Sequence, residues 1–107
     1  MTETRFNNFR AERDDRGVMT VWIDVAGRPV NVFDESVVSE LDALVSGLER
    51  DAGVKAVVFR SGKPSGFLAG ADVKTIAALA DAEQVEAICR RGQELFDRIE
   101  RLPMPTV

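Results

Sequence analysis

Two runs rich in β-branched and aromatic residues, Val18 to Val25 (VMTVWIDV) and Val54 to Phe59 (VKAVVF), stand on either side of one amphipathic stretch. No other feature constrains the chain as much, because both runs read as strands. Between them, Val37, Val38, Leu41, Leu44, Val45 and Leu48 recur at three- and four-residue steps. That spacing puts a single apolar stripe on a helix. Asp34 precedes the stripe as an N-cap, and Gly53 follows it where a left-handed residue would end the helix. The second run has few polar residues, so burial on both faces is expected, as in a parallel sheet. A strand–helix–strand unit of this kind implies an α/β fold with a right-handed crossover.

The rest of the sequence fits around that unit. Asn7 to Asp14 alternates weakly and predicts a first strand. Asp14-Asp15-Arg16-Gly17 then supplies a hairpin turn, with Gly17 at positive φ. Ala26 to Phe33 is a loop marked by Gly27 and Pro29. Past the second confident strand comes a glycine-rich loop, Ser61 to Gly70, then a short helix near Asp72 carrying Val73, Ile76, Ala77 and Leu79. Asp81, with Gln84 three residues on, opens a long helix in a capping-box pattern. Its stripe is Val85, Ile88, Leu95, Phe96, Ile99 and Leu102, and Pro103 and Pro105 stop it. Thr106 and Val107 read as the start of another strand. A chain whose last residues open a strand is expected to be a piece of a longer protein. Residues 1–107 are therefore read as the incomplete N-terminal portion of a single domain.

Composition removes several kinds of chemistry. There is no histidine and no tyrosine, and there is one cysteine, Cys89. A serine–histidine triad, a histidine base and a thiolate zinc site are all excluded for these residues. A net charge of −4 argues against a nucleic-acid surface. No apolar run approaches the roughly 20 residues that span a bilayer. The polar start, Met1 to Arg16, has no export signal. With no disulfide framework, the expected location is the cytoplasm. Chemistry is left to carboxylates, lysines and backbone N–H groups.

The loop Ser61 to Lys74, S-G-K-P-S-G-F-L-A-G-A-D-V-K, follows a buried strand and precedes a helix. Ligands of α/β proteins sit at that place, outside the carboxyl end of a strand. Gly62, Gly66 and Gly70 let the backbone come close to a ligand, and Ala69 and Ala71 leave their own N–H groups unobstructed. Donors at a helix start favour an anion, and donors aimed at one spot make an oxyanion hole.

The phrase F-L-A-G-A-D-V-K after V-V-F-R-S-G-K-P-S-G resembles the signature loop of the crotonase (enoyl-CoA hydratase/isomerase) superfamily. Arg28-Pro29-Val30-Asn31-Val32-Phe33, ahead of an amphipathic helix, resembles that family's first CoA-contacting loop. The wording SGKPSGFLAGADV is similar to the hydratase domains of multifunctional fatty-acid oxidation α-subunits. The resemblance runs from about Val18 to Val107 and implies the N-terminal part of a ββα spiral, truncated before its second half.

It also implies roles. The backbone N–H of Ala71 would donate to a thioester oxygen and stabilise the enolate formed beside it. Ala69, Ala71, Asp72, Val73 and Lys74 would line the CoA site, with Arg28 and Val30 reaching CoA from the other loop. Coenzyme A would enter as part of the substrate, with no separate cofactor and no metal. The substrate would be an acyl-CoA thioester. The family's second donor and its glutamates match nothing here, so a polypeptide of these residues alone is expected to be inactive. Two long apolar stripes also lead us to expect a homo-oligomer.

Structural readings stand beside these. Asp72 suits a helix cap, and Lys63 and Lys74 suit solvated surface positions. Cys89 suits an inert core residue, and Trp22 suits packing. Glu83, Glu86, Glu94 and Glu100 with Arg90, Arg91, Arg98 and Arg101 suit a solvated helix face with i,i+4 pairs. Two functional alternatives also stay open. One is thioester hydrolysis, decarboxylation or dehalogenation on the same frame. The other is a non-catalytic nucleotide- or phosphate-binding module, against which stands Asp72, where a phosphate loop would place lysine or serine.

Overall fold

The computed structural model describes residues 2–72, 74, 77, 78 and 81–107. Among these, the elements in sequence order are β1 (Thr2–Arg5), β2 (Phe9–Arg13), β3 (Val18–Ile23), α1 (Glu35–Arg50), β4 (Ala56–Ser61) and α2 (Ala82–Glu100). The four strands form one sheet in the order β1-β2-β3-β4. The first two pairings are antiparallel, and β4 runs parallel to β3 with Val21 opposite Phe59. The crossover between these parallel strands is α1, as the strand–helix–strand pattern predicts.

Local chemistry explains the β2–β3 turn and the start of each of these helices. At the β2–β3 hairpin the Asp14 carboxylate accepts from the N–H groups of Arg16 and Val18, both at 2.9 Å. Those bonds, the one from Val18 foremost, hold its carboxyl below the usual range. Gly17 closes the turn at φ 87°. Asp34 caps α1 by accepting from the Val37 N–H at 2.9 Å. Asp81 caps α2 in the same way, through the Gln84 N–H at 2.8 Å.

The end of α1 differs from expectation. Its C-cap is Asp51 in extended backbone, and Gly53 is not among the positive-φ glycines. The Asp51 carboxylate accepts from the Gly53 N–H at 2.9 Å, and the Arg13 guanidinium packs where a side group on Gly53 would lie. A carboxylate acceptor and crowding therefore explain this glycine, and a left-handed turn does not.

The core lies between α1 and one face of the sheet. Phe9, Ala11, Val21, Ile23 and Val57 face Val37, Leu41, Leu44, Val45 and Leu48, and all ten are buried. Strand β4 is less enclosed than its apolar sequence suggests, since Val57 alone within it is fully buried. Strand β1 has no signal in the sequence: Thr-Glu-Thr-Arg lacks apolar alternation, and it pairs only as an edge strand through backbone bonds. On the outer face, the Arg10 guanidinium lies 3.9 Å from the Trp22 ring, a cation–π contact that explains the tryptophan as packing.

Helix α2 meets the core by its C-terminal half. Leu95 is its one buried residue among those described, and Leu102 and Met104 beyond it join the core. Arg98 does not pair along its own helix. It reaches α1, bonding Asp42 at 2.6 Å, Ser46 at 2.9 Å and Glu49 at 2.8 Å. This bond from Arg98 depresses the Glu49 carboxyl. One i,i+4 pair of the expected kind does form, Glu86 with Arg90 at 2.6 Å. The segment after Pro103 turns onto β4, where Phe59 N–H donates to Val107 C=O at 2.8 Å and Val107 N–H to Val57 C=O at 3.0 Å. The strand expected at Thr106 therefore begins as a parallel neighbour of β4. No described helix is long and apolar enough to cross a membrane.

Candidate functional site

The two loops singled out by their sequence lie against each other. Three backbone bonds of 2.8 Å join them: Ala69 N–H to Asn31 C=O, Phe33 N–H to Gly70 C=O, and Asp72 N–H to Phe33 C=O. Phe33 and Ala71 form a parallel bridge. The inward N–H groups, those of Ala69 and Asp72, are three residues apart, where a regular strand would space them by two. The extra residue is absorbed at Gly70, whose φ is 110°. No atom lies within 4 Å of a Cβ built on Gly70, so backbone conformation, not space, calls for glycine there.

This bulge decides which donors a ligand can reach. Gly70 C=O and Asp72 N–H both turn toward Phe33, so the N–H of Ala71 between them turns away. It has no hydrogen-bond partner among the described residues. The N–H of Ala69, which the sequence suggests is open to a ligand, is instead used by Asn31. Of the two alanine donors, only that of Ala71 is left available.

Ala71 is exposed and lines a cavity of about 380 Å³. Its walls come from Phe33 and Val38 on the α1 side and from Val85, Ile88 and Phe96 on α2. The rings of Phe33 and Phe96 meet edge to face at 5.4 Å between centroids. A largely apolar hollow of this size with the Ala71 N–H at its rim suits an apolar group ending in a carbonyl. Cys89 also lines it and is exposed. The expectation of an inert core cysteine is thus overturned, because the N-terminal half of α2 stands away from the core.

Arg28 and Asp72 are brought together. The guanidinium donates to the Asp72 carboxylate at 2.8 Å and lies 3.6 Å from that of Asp34. Asp72 is buried and also accepts from the Lys74 N–H at 3.2 Å. It therefore ties the two loops together as well as turning the backbone toward the next segment. Ala69, Val30 and Lys74 are exposed at this edge. Val73 lies outside the described residues, as do Ile76 and Leu79 of the expected short helix. Of that helix, the Ala78 N–H donates to Lys74 C=O at 3.1 Å. Lys63 pairs with Asp24 at 2.7 Å.

Asn31 stands out in the structure, whereas the sequence marks it only as one letter of a motif. Its side chain is buried between the loops and reaches four partners. Oδ1 accepts from Val25 N–H at 3.0 Å, and the two Nδ2 hydrogens are shared among three acceptors, Ile23 C=O at 2.9 Å, Phe67 C=O at 2.9 Å and Ser61 Oγ at 3.1 Å. The one signal for it is a polar residue flanked by valines ahead of a helix.

Comparison with known proteins places this geometry in context. The family model described as Enoyl-CoA hydratase/isomerase matches residues 26–107. Over 99 residues the chain is 44% identical to a fatty acid oxidation complex subunit alpha of Idiomarina loihiensis, covering 92% of this chain and 14% of that one. Its identity to the same subunit of Aliivibrio fischeri is 39%, covering 92% and 15%. Among solved structures, an enoyl-CoA hydratase of Geobacillus kaustophilus superposes with a TM-score of 0.89 at 25% identity, over 98% of this chain and 38% of that one. An enoyl-CoA hydratase of Mycobacterium smegmatis matches with a TM-score of 0.79 at 29% identity, over 92% and 38%. The chain thus spans about one seventh of the length of these curated relatives.

Proposed function

The chain belongs to the enoyl-CoA hydratase/isomerase family, and on that premise we propose that its two joined loops form one arm of an acyl-CoA thioester site. The substrate is a 2-enoyl-CoA, which the whole protein hydrates or isomerises in fatty-acid oxidation. Arg28, Val30, Ala69, Asp72, Val73 and Lys74 line the CoA side, and the apolar cavity beside Ala71 takes the acyl group. Coenzyme A enters as part of the substrate. Supporting this reading is one observation above others: the Ala71 N–H has no partner among the described residues, at the rim of an apolar cavity.

The chemistry follows from that donor. When the hydroxyl of water adds at C3 of the enoyl group, the electron pair of the double bond moves toward the thioester oxygen and an enolate forms. A proton then joins C2 and the carbonyl is restored. Charge on the oxygen is greatest at the enolate, so an N–H fixed there binds the transition state better than the substrate. Such a donor contributes about 3 kcal/mol, or roughly 10²–10³ in rate. Asp34 and Asp72 are already committed to backbone N–H groups and to Arg28. We assign the proton transfers to neither of them, and expect no turnover from a polypeptide of these 107 residues alone. The exposed apolar wall of α2 further supports self-association as a homo-oligomer, and a single cysteine with no disulfide framework supports a cytoplasmic location.

Calorimetry with butyryl-CoA tests this reading against an Ala71→Pro variant, which lacks the N–H. Binding by the unaltered protein and loss of it in a variant with an unchanged melting profile is the expected result. Equal binding by both would refute the assignment of Ala71.

A further inference from the structure

Asn31 is among the most buried residues of the protein, at 2% exposure, and its side chain bonds both the end of β3 and the glycine-rich loop. We propose that Asn31 is a positioning residue that sets the register of the Phe67–Asp72 segment, and through it the direction of the Ala71 N–H. The inference rests on the thioester reading above and adds to it the group that aims the donor.

The argument begins with how weakly that segment is otherwise held. Phe67 is half exposed, at 51%, and Ala69 and Ala71 bring no side chain long enough to anchor them. With three glycines between Ser61 and Gly70, the backbone itself resists little. A segment of this kind pairing edge to edge with Asn31 and Phe33 can slip by a residue, because nothing in its side chains prefers one register. A slip of one residue would aim the Ala71 N–H at Phe33 and close the site.

Asn31 opposes the slip at two points. Its Nδ2 fixes Phe67 C=O at 2.9 Å, and its own backbone carbonyl receives the Ala69 N–H at 2.8 Å. The number of residues between those contacts and the Phe33 bonds is then set, and Gly70 must carry the bulge. The other bonds of the carboxamide, to Ile23 C=O and Val25 N–H, run to the end of β3 and the residues just after it. Asn31 therefore ties the glycine-rich loop to the buried end of β3. Leucine or valine would fill the space and hold neither end. Aspartate would keep the acceptor for Val25 and turn a donor into a repelling oxygen at Phe67 C=O. Ser61 reinforces the arrangement, since its hydroxyl accepts from Asn31 at 3.1 Å and from Lys63 N–H at 2.9 Å.

The test uses the full-length protein and two readouts. The first is the infrared stretch of butyryl-CoA isotopically labelled at its carbonyl carbon, which falls in frequency when a donor polarises the bound thioester. The second is the division between kcat and KM on crotonyl-CoA. Asn31→Asp and the milder Ser61→Ala are compared with the unaltered protein. The expected result is a bound carbonyl stretch that returns toward its solution value in Asn31→Asp, and part of the way in Ser61→Ala. With it comes a fall in kcat of about 10²-fold for Asn31→Asp, the effect of a misplacement near 1 Å, at nearly constant KM. Ser61→Ala supplies the answer if Asn31→Asp does not fold. If the unaltered protein shows no lowered stretch, the thioester reading itself fails. If it does, and the folded variants keep the lowered stretch and the kcat, then Asn31 only stabilises the fold and the inference is overturned.

Discussion

The Arg28 guanidinium and the Asp72 carboxylate meet at 2.8 Å across 44 residues of sequence. They join the start of one loop to the end of the other, one residue beyond the proposed donor at Ala71. Asp72 is nearly buried while Arg28 is about one-third exposed, so the pair is stronger than a surface bridge and weaker than an enclosed one.

Replacing Arg28 with alanine leaves the Asp72 carboxylate with less compensation one residue from the proposed donor at Ala71. We expect Arg28→Ala to cost about 1–2 kcal/mol of stability after allowing for solvent at the guanidinium. We also expect a larger loss in kcat/KM on a 2-enoyl-CoA, which Arg28→Lys restores in part. Urea unfolding and steady-state kinetics on the same preparations of the full-length protein measure both. An unchanged urea midpoint together with unchanged kinetics would show that the pair does not hold the loops.

Gly70 offers a separation of strain from packing. Its φ of 110° is one that alanine adopts only with strain, while the space around it is open. Gly70→Ala should cost about 1–2 kcal/mol through the backbone, and should lower activity by more than that loss of stability explains. Gly47 in α1 is the contrast, since it also has open space but is helical. Gly47→Ala should stabilise the protein by about 0.5–1 kcal/mol and leave binding unchanged. Thermal melts and acyl-CoA affinity for the two variants decide between backbone strain at Gly70 and a general effect of added methyl groups.

Ile88 and Phe96 stand on one side of α2 at 43% and 49% exposure, beside the cavity. Large apolar side chains grouped in this way favour contact with another surface. We expect light scattering to show self-association at tens of micromolar, and the double variant Ile88→Glu with Phe96→Glu to run as a monomer. A monomer before substitution would dispose of the homo-oligomer.

Much of the fold is legible because it depends on neighbours in sequence. The stripe from Val37 to Leu48 needs only a helical period, and Asp34 caps the helix with a bond to Val37 three residues away. The turn at Gly17 is likewise local. Strand β1 is not legible, because its pairing uses backbone groups that carry no pattern. Cys89 misleads for a related reason: periodicity shows that an apolar stripe exists, and does not show which half of it meets a partner. The candidate site is legible as a stretch of sequence, Ser61 to Lys74, though its working parts are not.

The amino-acid sequence by itself determined the order of elements, the parallel pairing of β3 with β4, and the place of a glycine-rich loop after a strand. Each follows from periods of two or 3.6 residues and from caps that act within one turn. Only the tertiary structure decided that Ala69 gives its N–H to Asn31 while Ala71 keeps its own, and that Arg28 faces Asp72. Those outcomes depend on how two loops from distant parts of the sequence pair edge to edge. In such a pairing, one residue of slip reverses the direction of every N–H group.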